Sequence, residues 1–379
     1  MIVAEVVFWL SLGLLVYAQA GYPLLLSALA RLTRSRRVHA AQPTGTDAPA
    51  VSLIIAAYDE GEVIAAKVAN ALALDYPRDR LEVIVASDGS SDATVAQARS
   101  AGADLVLELP RGGKIRAQDA AVARARGELV AFSDANARWE PDALRTLVSA
   151  FADPRVGYAC GQVQFLNDDG GTNQEGLYWR YELTLRGLES RLGSITAGNG
   201  AIYATRRASY IEVDPIMGHD LSFPFNMVKR GWRAVYVPAA RATERMVPSI
   251  EGEFARKRRM MSHAWPIVLR GGLLSPRGYT PLYALMIASH RVLRYVAPFL
   301  HVIVLVLSVV LAAEHPIYLP ALVAQLVLLA AALLGGVLRW RVLLVARYYV
   351  LTTASVAAGL WDWLRHGTPA GWEAAEGTR

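Results

Sequence analysis

The chain has one cysteine, Cys160, among its 379 residues, so no disulfide can form within it. That suits a reducing compartment. Charge is also sparse: Asp, Glu, Lys and Arg make up 19% of the residues, against 54% that are hydrophobic. A soluble domain has about a quarter of its residues charged, and the mean hydropathy here is +0.27. No internal repeat and no low-complexity tract is present, which argues against a solenoid or a biased linker. No lysine or arginine precedes the first apolar run, as a signal peptide requires. No glycine-rich phosphate loop follows the first predicted strand, where the sequence reads Tyr58-Asp59-Glu60-Gly61. That weighs against a nucleotidyltransferase on an α/β sheet.

The apolar excess lies at the two ends. Val3 to Ala30 is interrupted only by polar Glu5 and Gln19, and its length matches one bilayer crossing of about 20 residues. Arg31, Arg34, Arg36 and Arg37 follow it. Positive charge after the run implies an uncleaved anchor with its N-terminus outside and the next domain in the cytosol. Residues 31–50 read as a basic segment and linker, with Pro43, Gly45 and Pro49. After about Pro276 the apolar character returns. Residues 277–295, with His290, Arg291 and Arg294 among leucines, read as an interfacial helix. Residues 296–364 read as membrane helices: Val296 to Ala313 and Ile317 to Leu338 span, and Tyr348 to Leu364 either crosses or lies flat. Residues 365–379 form a tail. The net charge of +6 sits beside these spans, so the partner it implies is anionic lipid and not nucleic acid.

Between the ends, short β-branched runs alternate with helical stretches. Val51 to Ala57, Leu81 to Ala86, Leu105 to Leu109 and Leu129 to Ser133 read as buried strands. Glu62–Leu74, Ala93–Ala101 and Ala117–Ala125 have helical spacing. The alternation predicts an α/β domain over 51–276 with a mostly parallel sheet. Such sheets bind ligands beyond the carboxyl ends of their strands. Polar residues cluster there.

Ser87-Asp88-Gly89-Ser90-Ser91-Asp92 ends the second strand. Its carboxylate and free N–H groups suit a nucleoside; an equal case is a plain turn with Asp92 as a helix cap. Asp134-Ala135-Asn136 ends the fourth strand, and two oxygen side chains two apart suit Mg²⁺ or Mn²⁺, although Asp-x-Asn also makes turns. Lys114 is a phosphate neutraliser or a solvated loop charge. Asp220 opens a predicted helix, so it is a reactive carboxylate or an N-cap. Arg256-Lys257-Arg258-Arg259 precedes the membrane region and attracts anionic lipid at about 1 kcal/mol per charge, or an anionic substrate.

The order of these elements is more specific than any one of them. The chain resembles the membrane-bound family-2 glycosyltransferases of the GT-A fold, in their cellulose synthase-like and poly-N-acetylglucosamine synthase-like branch. The likeness runs from Val51 to Trp265 through VSLIIAAYDEGEVI, LEVIVASDGSSDAT, GELVAFSDAN, TAGNGAIYATRR, GHDLSFPFNMVKRGWRAVYVP and RKRRM. It implies a GT-A domain, Rossmann-like and flanked by transmembrane helices. It also implies an inverting, metal-dependent transfer from a nucleotide-sugar, by analogy a UDP-sugar, to a lipid-linked or saccharide acceptor at a bacterial inner membrane. By the same resemblance Asp59 and Asp88 contact the nucleoside and Lys114 the donor phosphates. Asp134 and Asn136 hold the cation, Arg256 and Arg259 brace the leaving diphosphate, and Asp220 is the general base. Gly198, Asn199, Gly200 and His219 lie on the acceptor side. Three departures stand out: Asn136 is a neutral ligand, His219 replaces a carboxylate, and Met260 stands where the family has Trp. The missing Trp and the few spans favour a non-processive enzyme over a processive synthase, and the retention of Asp88, Asp134, Asp220 and Arg259 together argues against a non-catalytic scaffold.

The charge pattern makes one prediction about topology. Reporter fusions at Thr46 and near Glu314 should report opposite sides of the membrane, with Thr46 cytosolic. Both on one side would refute the orientation.

Overall fold

The computed structural model describes residues 1–33, 48–166, 174–245 and 249–371. Arg34, Arg36 and Arg37, most of the 31–50 linker and residues 372–379 lie outside that set. Eight strands form one sheet: β1 Val51–Ala57, β2 Leu81–Asp88, β3 Leu105–Leu109, β4 Leu129–Asp134, β5 Arg138–Trp139, β6 Val156–Leu166, β7 Tyr203–Arg206 and β8 Arg233–Arg245. Their order is β3-β2-β1-β4-β7-β6-β8-β5. β1, β2, β3 and β4 pair in parallel. β7 runs antiparallel to both β4 and β6, while β6 and β8 are parallel.

The helices are α1 Ile2–Val16, α2 Tyr22–Leu32, α3 Ile64–Leu72, α4 Thr94–Ser100, α5 Lys114–Val122, α6 Ala143–Ser149, α7 Gln174–Leu192, α8 His219–Lys229, α9 Ile250–Leu269, α10 Pro281–Met286, α11 Leu293–Ala312, α12 Leu319–Leu334 and α13 Arg341–His366.

Every residue of β1 and β2 is buried, as strands covered on both faces must be. One face packs Leu53, Ile55 and Val83 against α3 and α6 residues such as Val68 and Leu147. The other packs Ile54, Phe132 and Tyr203 against α5 and α8, with Cys160 among them. Cys160 is fully buried, and burial pushes its thiol up to about 11. Side chains alternate along a strand, so β4 sends Phe132 into the core and ends on Asp134 at the sheet rim. Gly127, before β4, has no room for a Cβ, which would lie 2.4 Å from the Ser52 nitrogen.

Among the described residues, four helical runs are long and apolar enough to cross a membrane: Ile2–Leu32, Pro281–Ala312, Pro316–Leu334 and Arg341–His366. The expected break between an interfacial helix at 277–295 and a span from 296 is absent. Helices α10 and α11 form one continuous run through a π-helical segment, Ile287–Val292. α13 is longer than the run read from the sequence and begins at Arg341.

An earlier π-helical segment, Tyr17–Gly21, joins α1 to α2, so that Ile287–Val292 is the second along the chain. A π-bulge widens the turn and spoils its regular hydrogen bonds. Here the Tyr181 hydroxyl of α7 donates to the carbonyls of Ala18 and Gln19, at 3.1 and 3.3 Å. The two bulges meet: the Tyr17 hydroxyl is 2.9 Å from the Ser289 hydroxyl. The core between these apolar helices and the α/β domain holds Tyr22, Leu26, Phe225, Trp265 and Ile287.

Candidate active site

The carboxyl ends of the strands open onto a cleft of about 870 Å³. It is lined by Lys114, Asp134, Asn136, Gly198, Asn199, Gly200, His219, Asp220, Arg256 and Arg259. Ten residues singled out in the sequence therefore share one cleft. Asp59 and Asp88 do not line it. Asp88 borders a smaller hollow of about 220 Å³, formed with Leu109, Arg111 and Arg116.

Asp88 is buried, and both of its oxygens are engaged within the protein. Oδ1 accepts from the Gly112 and Gly113 N–H groups at 2.7 and 3.0 Å, and Oδ2 accepts from Gly113 at 2.9 Å and Arg111 Nη1 at 3.0 Å. The geometry makes it the anchor of the Arg111-Gly112-Gly113 loop, which delivers Lys114 to the cleft at the start of α5. The Arg111 guanidinium lies over the Tyr58 ring at 3.2 Å from its centroid. Gly113 has φ 98°, a left-handed value that favours glycine. Asp59, at φ 49°, accepts from the Ser91 N–H at 2.8 Å. Asp92 is not the cap of α4, whose N-cap is Ala93. Its Oδ1 and Oδ2 instead take the N–H groups of Thr94 and Gly61, at 3.0 and 2.8 Å, tying the β2 loop to the β1 loop.

Asp134 forms an ion pair with Lys114. Burial lowers the pKa of the Lys114 ammonium, but Asp134, Asp220 and Glu244 more than restore it, to above the ordinary lysine value. The cleft thus holds positive charge firmly at the end of β4. Glu244, on β8, lines the same cleft and was not singled out in the sequence. Burial, with Asp134 nearby, pushes its carboxyl above the usual carboxylate range. Its Oε1 is buried without a hydrogen-bond partner among the described residues. Among those residues no group of three His, Cys, Asp or Glu side chains converges as a ready-made metal site. The donor set does fit a cation shared with a bound diphosphate: a carboxylate that already holds an ammonium, the Asn136 amide, and a second carboxylate lacking a partner.

Facing this end is the loop that carries Gly198, Asn199 and Gly200. A Cβ on Gly200 would stand 3.6 Å from Lys114 Nζ and 3.8 Å from Asp134 Oδ2. Asn199 is spent on the backbone: its Nδ2 donates to Gly161 O at 2.7 Å, and its Oδ1 accepts from Ile202 N at 2.9 Å. It shapes the loop. Gly198 N donates to the Asp220 carbonyl at 2.7 Å, and a Cβ there would run into the Tyr158 hydroxyl at 2.0 Å.

Asp220 lies in the first turn of α8, whose N-cap is Gly218 with no side-chain cap hydrogen bond. The Asp220 carboxylate is half-buried on the cleft and makes no hydrogen bond or ion pair among the described residues. His219 points away from solvent. It stacks on Phe223 at 3.9 Å and its Nδ1 lies 2.8 Å from the Tyr203 hydroxyl. Burial pulls its pKa down to about 3, so it is neutral at physiological pH and packs the base of the site.

The basic run lies on α9. Arg256 makes a bidentate pair with buried Glu253, both contacts at 2.7 Å. Lys257 donates to the Tyr348 hydroxyl at 2.6 Å, and Arg258 pairs with Asp362 of α13 through two 2.6 Å contacts. Arg259 lines the cleft without an ion pair among the described residues. Of the four cations, Lys257 and Arg258 thus tie α9 to α13, and Arg256 and Lys257 both pair with Glu253, Lys257 at 3.5 Å.

Residues 52–213 match the family model for Glycosyl transferase family 2. An N-acetylglucosaminyltransferase of Rhizobium sp. (strain N33) is 28% identical over 230 residues, 55% of this chain and 51% of that protein. A poly-beta-1,6-N-acetyl-D-glucosamine synthase of Staphylococcus aureus (strain COL) is 23% identical over 248 residues, 62% of this chain and 60% of that protein. The chain thus spans about half the length of the curated relatives it matches. A mannosyltransferase from Pyrobaculum calidifontis, solved with GDP-Man and Mn²⁺, superposes with a TM-score of 0.74 at 24% identity and covers 95% of this chain and 99% of that one. The fold is GT-A, Rossmann-like with a mixed, mostly parallel sheet, and residues 52–213 are similar to the family-2 glycosyltransferases. The matched stretch includes Asp88, Lys114, Asp134 and Asn136 and ends before Asp220.

The Asp88 contacts generate a prediction. Asp88→Asn keeps the size but replaces one acceptor oxygen with a donor, which opposes the N–H groups of Gly112 and Gly113. Nucleotide-sugar affinity should fall about tenfold or more, as hydrogen bonds to a charged group are lost. Titration calorimetry checks it; unchanged affinity would show that the loop holds its shape without the carboxylate.

Proposed function

We propose that the chain is an integral membrane glycosyltransferase. It moves a sugar from a nucleotide-diphospho-sugar, by analogy a UDP-sugar, to a membrane-held lipid-linked or polysaccharide acceptor, with inversion and without processive extrusion. The observation that carries this reading is one continuous cleft. The Lys114–Asp134 pair lies at its sheet end, an unengaged Asp220 carboxylate beside it, and Ala18, Ala297, Val345 and Val356 of the membrane helices at its other end.

The donor diphosphate lies against Lys114 and Arg259, with Arg256 held in position by Glu253. Asp134 and Asn136 hold a divalent cation, Mg²⁺ or Mn²⁺, with Glu244 close by. When bound, that ion neutralises diphosphate charge. The acceptor hydroxyl attacks the anomeric carbon while Asp220 takes its proton. The bond from that carbon to the diphosphate oxygen breaks in the same step, and the nucleoside diphosphate leaves with its charge facing Lys114 and Arg259. A single in-line displacement inverts the anomeric configuration. The wall opposite is the loop 198–200, whose glycines leave room for a sugar beside Lys114.

The non-processive reading rests on Met260, which lines the cleft where a processive relative would present an indole. The cytosolic placement of the α/β domain rests on the arginines that follow the first span.

Two outcomes test the reading. Chelation of divalent ions should abolish release of nucleoside diphosphate, and Mn²⁺ or Mg²⁺ should restore it. Undiminished turnover in metal-free buffer would remove the cation from the site. Asp220→Asn should lower turnover about 10²–10⁴-fold, with donor affinity and melting temperature near those of the parent. A near-normal rate in the folded variant would remove Asp220 as the base.

A further inference from the structure

Two arginines bury their guanidinium groups with most of their N–H donors unspent. Arg186, on α7, is 4% exposed and Arg291, in the second π-helical segment, is 6% exposed. Each has five N–H donors. Arg186 spends one, donating from Nη2 to Gly198 O at 3.0 Å. Arg291 spends one, donating from Nε to Thr196 Oγ1 at 2.8 Å. Arg186 Nε and Arg291 Nη2 are buried without a partner among the described residues. Both side chains line the cleft.

Burying a cation costs several kcal/mol unless an anion and hydrogen bonds compensate. The acids nearby are already engaged. Glu189 accepts from the Tyr22 hydroxyl at 2.7 Å and from Thr196 N at 3.0 Å, and lies 2.7 Å from His290 Nδ1. Glu182 takes the Arg294 ion pair and lies 3.2 Å from His290 Nε2. Neither carboxylate makes a hydrogen bond to Arg186 or Arg291. Arg186, Arg291 and Arg294 thus have Glu182 and Glu189 as neighbouring acids, and the ion pair among them goes to Arg294. A charged residue within a membrane-crossing helix points by default to a functional site, and a π-bulge is a frequent device for turning such a side chain inward.

We propose that Arg186 and Arg291 form an oxyanion site that holds the phosphate of the acceptor at the membrane end of the cleft. The proposal rests on the membrane-held acceptor of the preceding subsection and names its chemical class: a lipid phosphate or diphosphate. The two guanidinium groups grip the 196–198 stretch of the loop from two elements, α7 and the second π-helical segment. The same loop presents Gly200 to the Lys114–Asp134 pair. An anion seated between the arginines is thus held by the backbone stretch that also borders the sugar-transfer site. Planar, permanently charged guanidinium groups match phosphate oxygens in pairs. The wall beyond them, with Ala18, Ala297 and Val356, suits an alkyl chain.

The test uses the full chain in detergent micelles. Three probes are titrated: a short prenyl monophosphate, the prenyl alcohol of the same chain, and inorganic phosphate. The monophosphate should bind about tenfold or more tighter than the alcohol, as several charge-assisted hydrogen bonds require. Arg186→Gln and Arg291→Gln should each erase most of that preference and leave nucleotide-sugar affinity unchanged. Equal binding of monophosphate and alcohol would overturn the oxyanion site while the membrane acceptor stands. If neither lipid binds and the nucleotide-sugar still does, the membrane acceptor itself falls. If inorganic phosphate matches the prenyl monophosphate, the site takes free oxyanions and its link to lipid is overturned. Should either variant fail to fold, the wild-type comparison of monophosphate with alcohol decides alone.

Discussion

The arrangement of the molecule depends on one buried carboxylate. Glu189 is fully buried and receives hydrogen bonds from three parts of the chain: Tyr22 of the first membrane helix, Thr196 of the loop beside the sheet, and His290 of the second membrane run. Burial alone would raise its pKa, but His290 and Arg291 outweigh that and hold it below the usual range. A charged group so placed fixes its neighbours, because any shift that breaks a contact leaves an uncompensated charge in the interior. The α/β domain and the membrane helices are therefore registered against each other by polar chemistry as well as by the apolar contacts of Leu26, Trp265 and Ile287.

That registration gives the cleft its two-sided character. Its upper wall is made by strand ends and helix starts, where backbone geometry aims Asp134, Lys114 and Asp220 inward. Its lower wall is made by helices, two of them opened by π-bulges where they pass the site. Clamps at the far side, Lys257 to Tyr348 and Arg258 to Asp362, tie α9 to α13. The basic run on α9 thus divides between cleft-lining and structural positions: Arg256, Lys257 and Arg259 line the cleft, and Arg258 pairs with Asp362.

Much of the fold was legible in the sequence. The parallel strands β1 to β4 are covered on both faces, so they appear as unbroken apolar runs between helical stretches, and the class followed from that alternation. The polar clusters at their ends came with them. The later strands were harder to read. β8 extends to Arg245 through a polar second half, and Glu244 there was not singled out. The π-bulges carry almost no sequence signature; Gly21, whose Cβ would meet the Tyr17 ring at 2.8 Å, is the one local hint. Arg186 was not singled out in the sequence, and Arg291 was placed on an interfacial helix. Only tertiary packing buries them. Asp88 was singled out as a nucleoside contact, and in the structure its two oxygens are taken by the neighbouring Arg111–Gly113 loop.

The lone thiol has a practical meaning. Cys160 sits at full burial beneath the sheet, with its ionisation pushed up to about 11, and the thiolate is the reactive form. Toward alkylating reagents the native protein is therefore close to silent. A cysteine placed at a chosen surface position becomes a unique attachment point for a fluorophore or spin label, with no need to rebuild the core around a missing sulfur. Distances between the sheet end of the cleft and the membrane helices are then measurable in a bilayer, on a protein whose own packing is untouched.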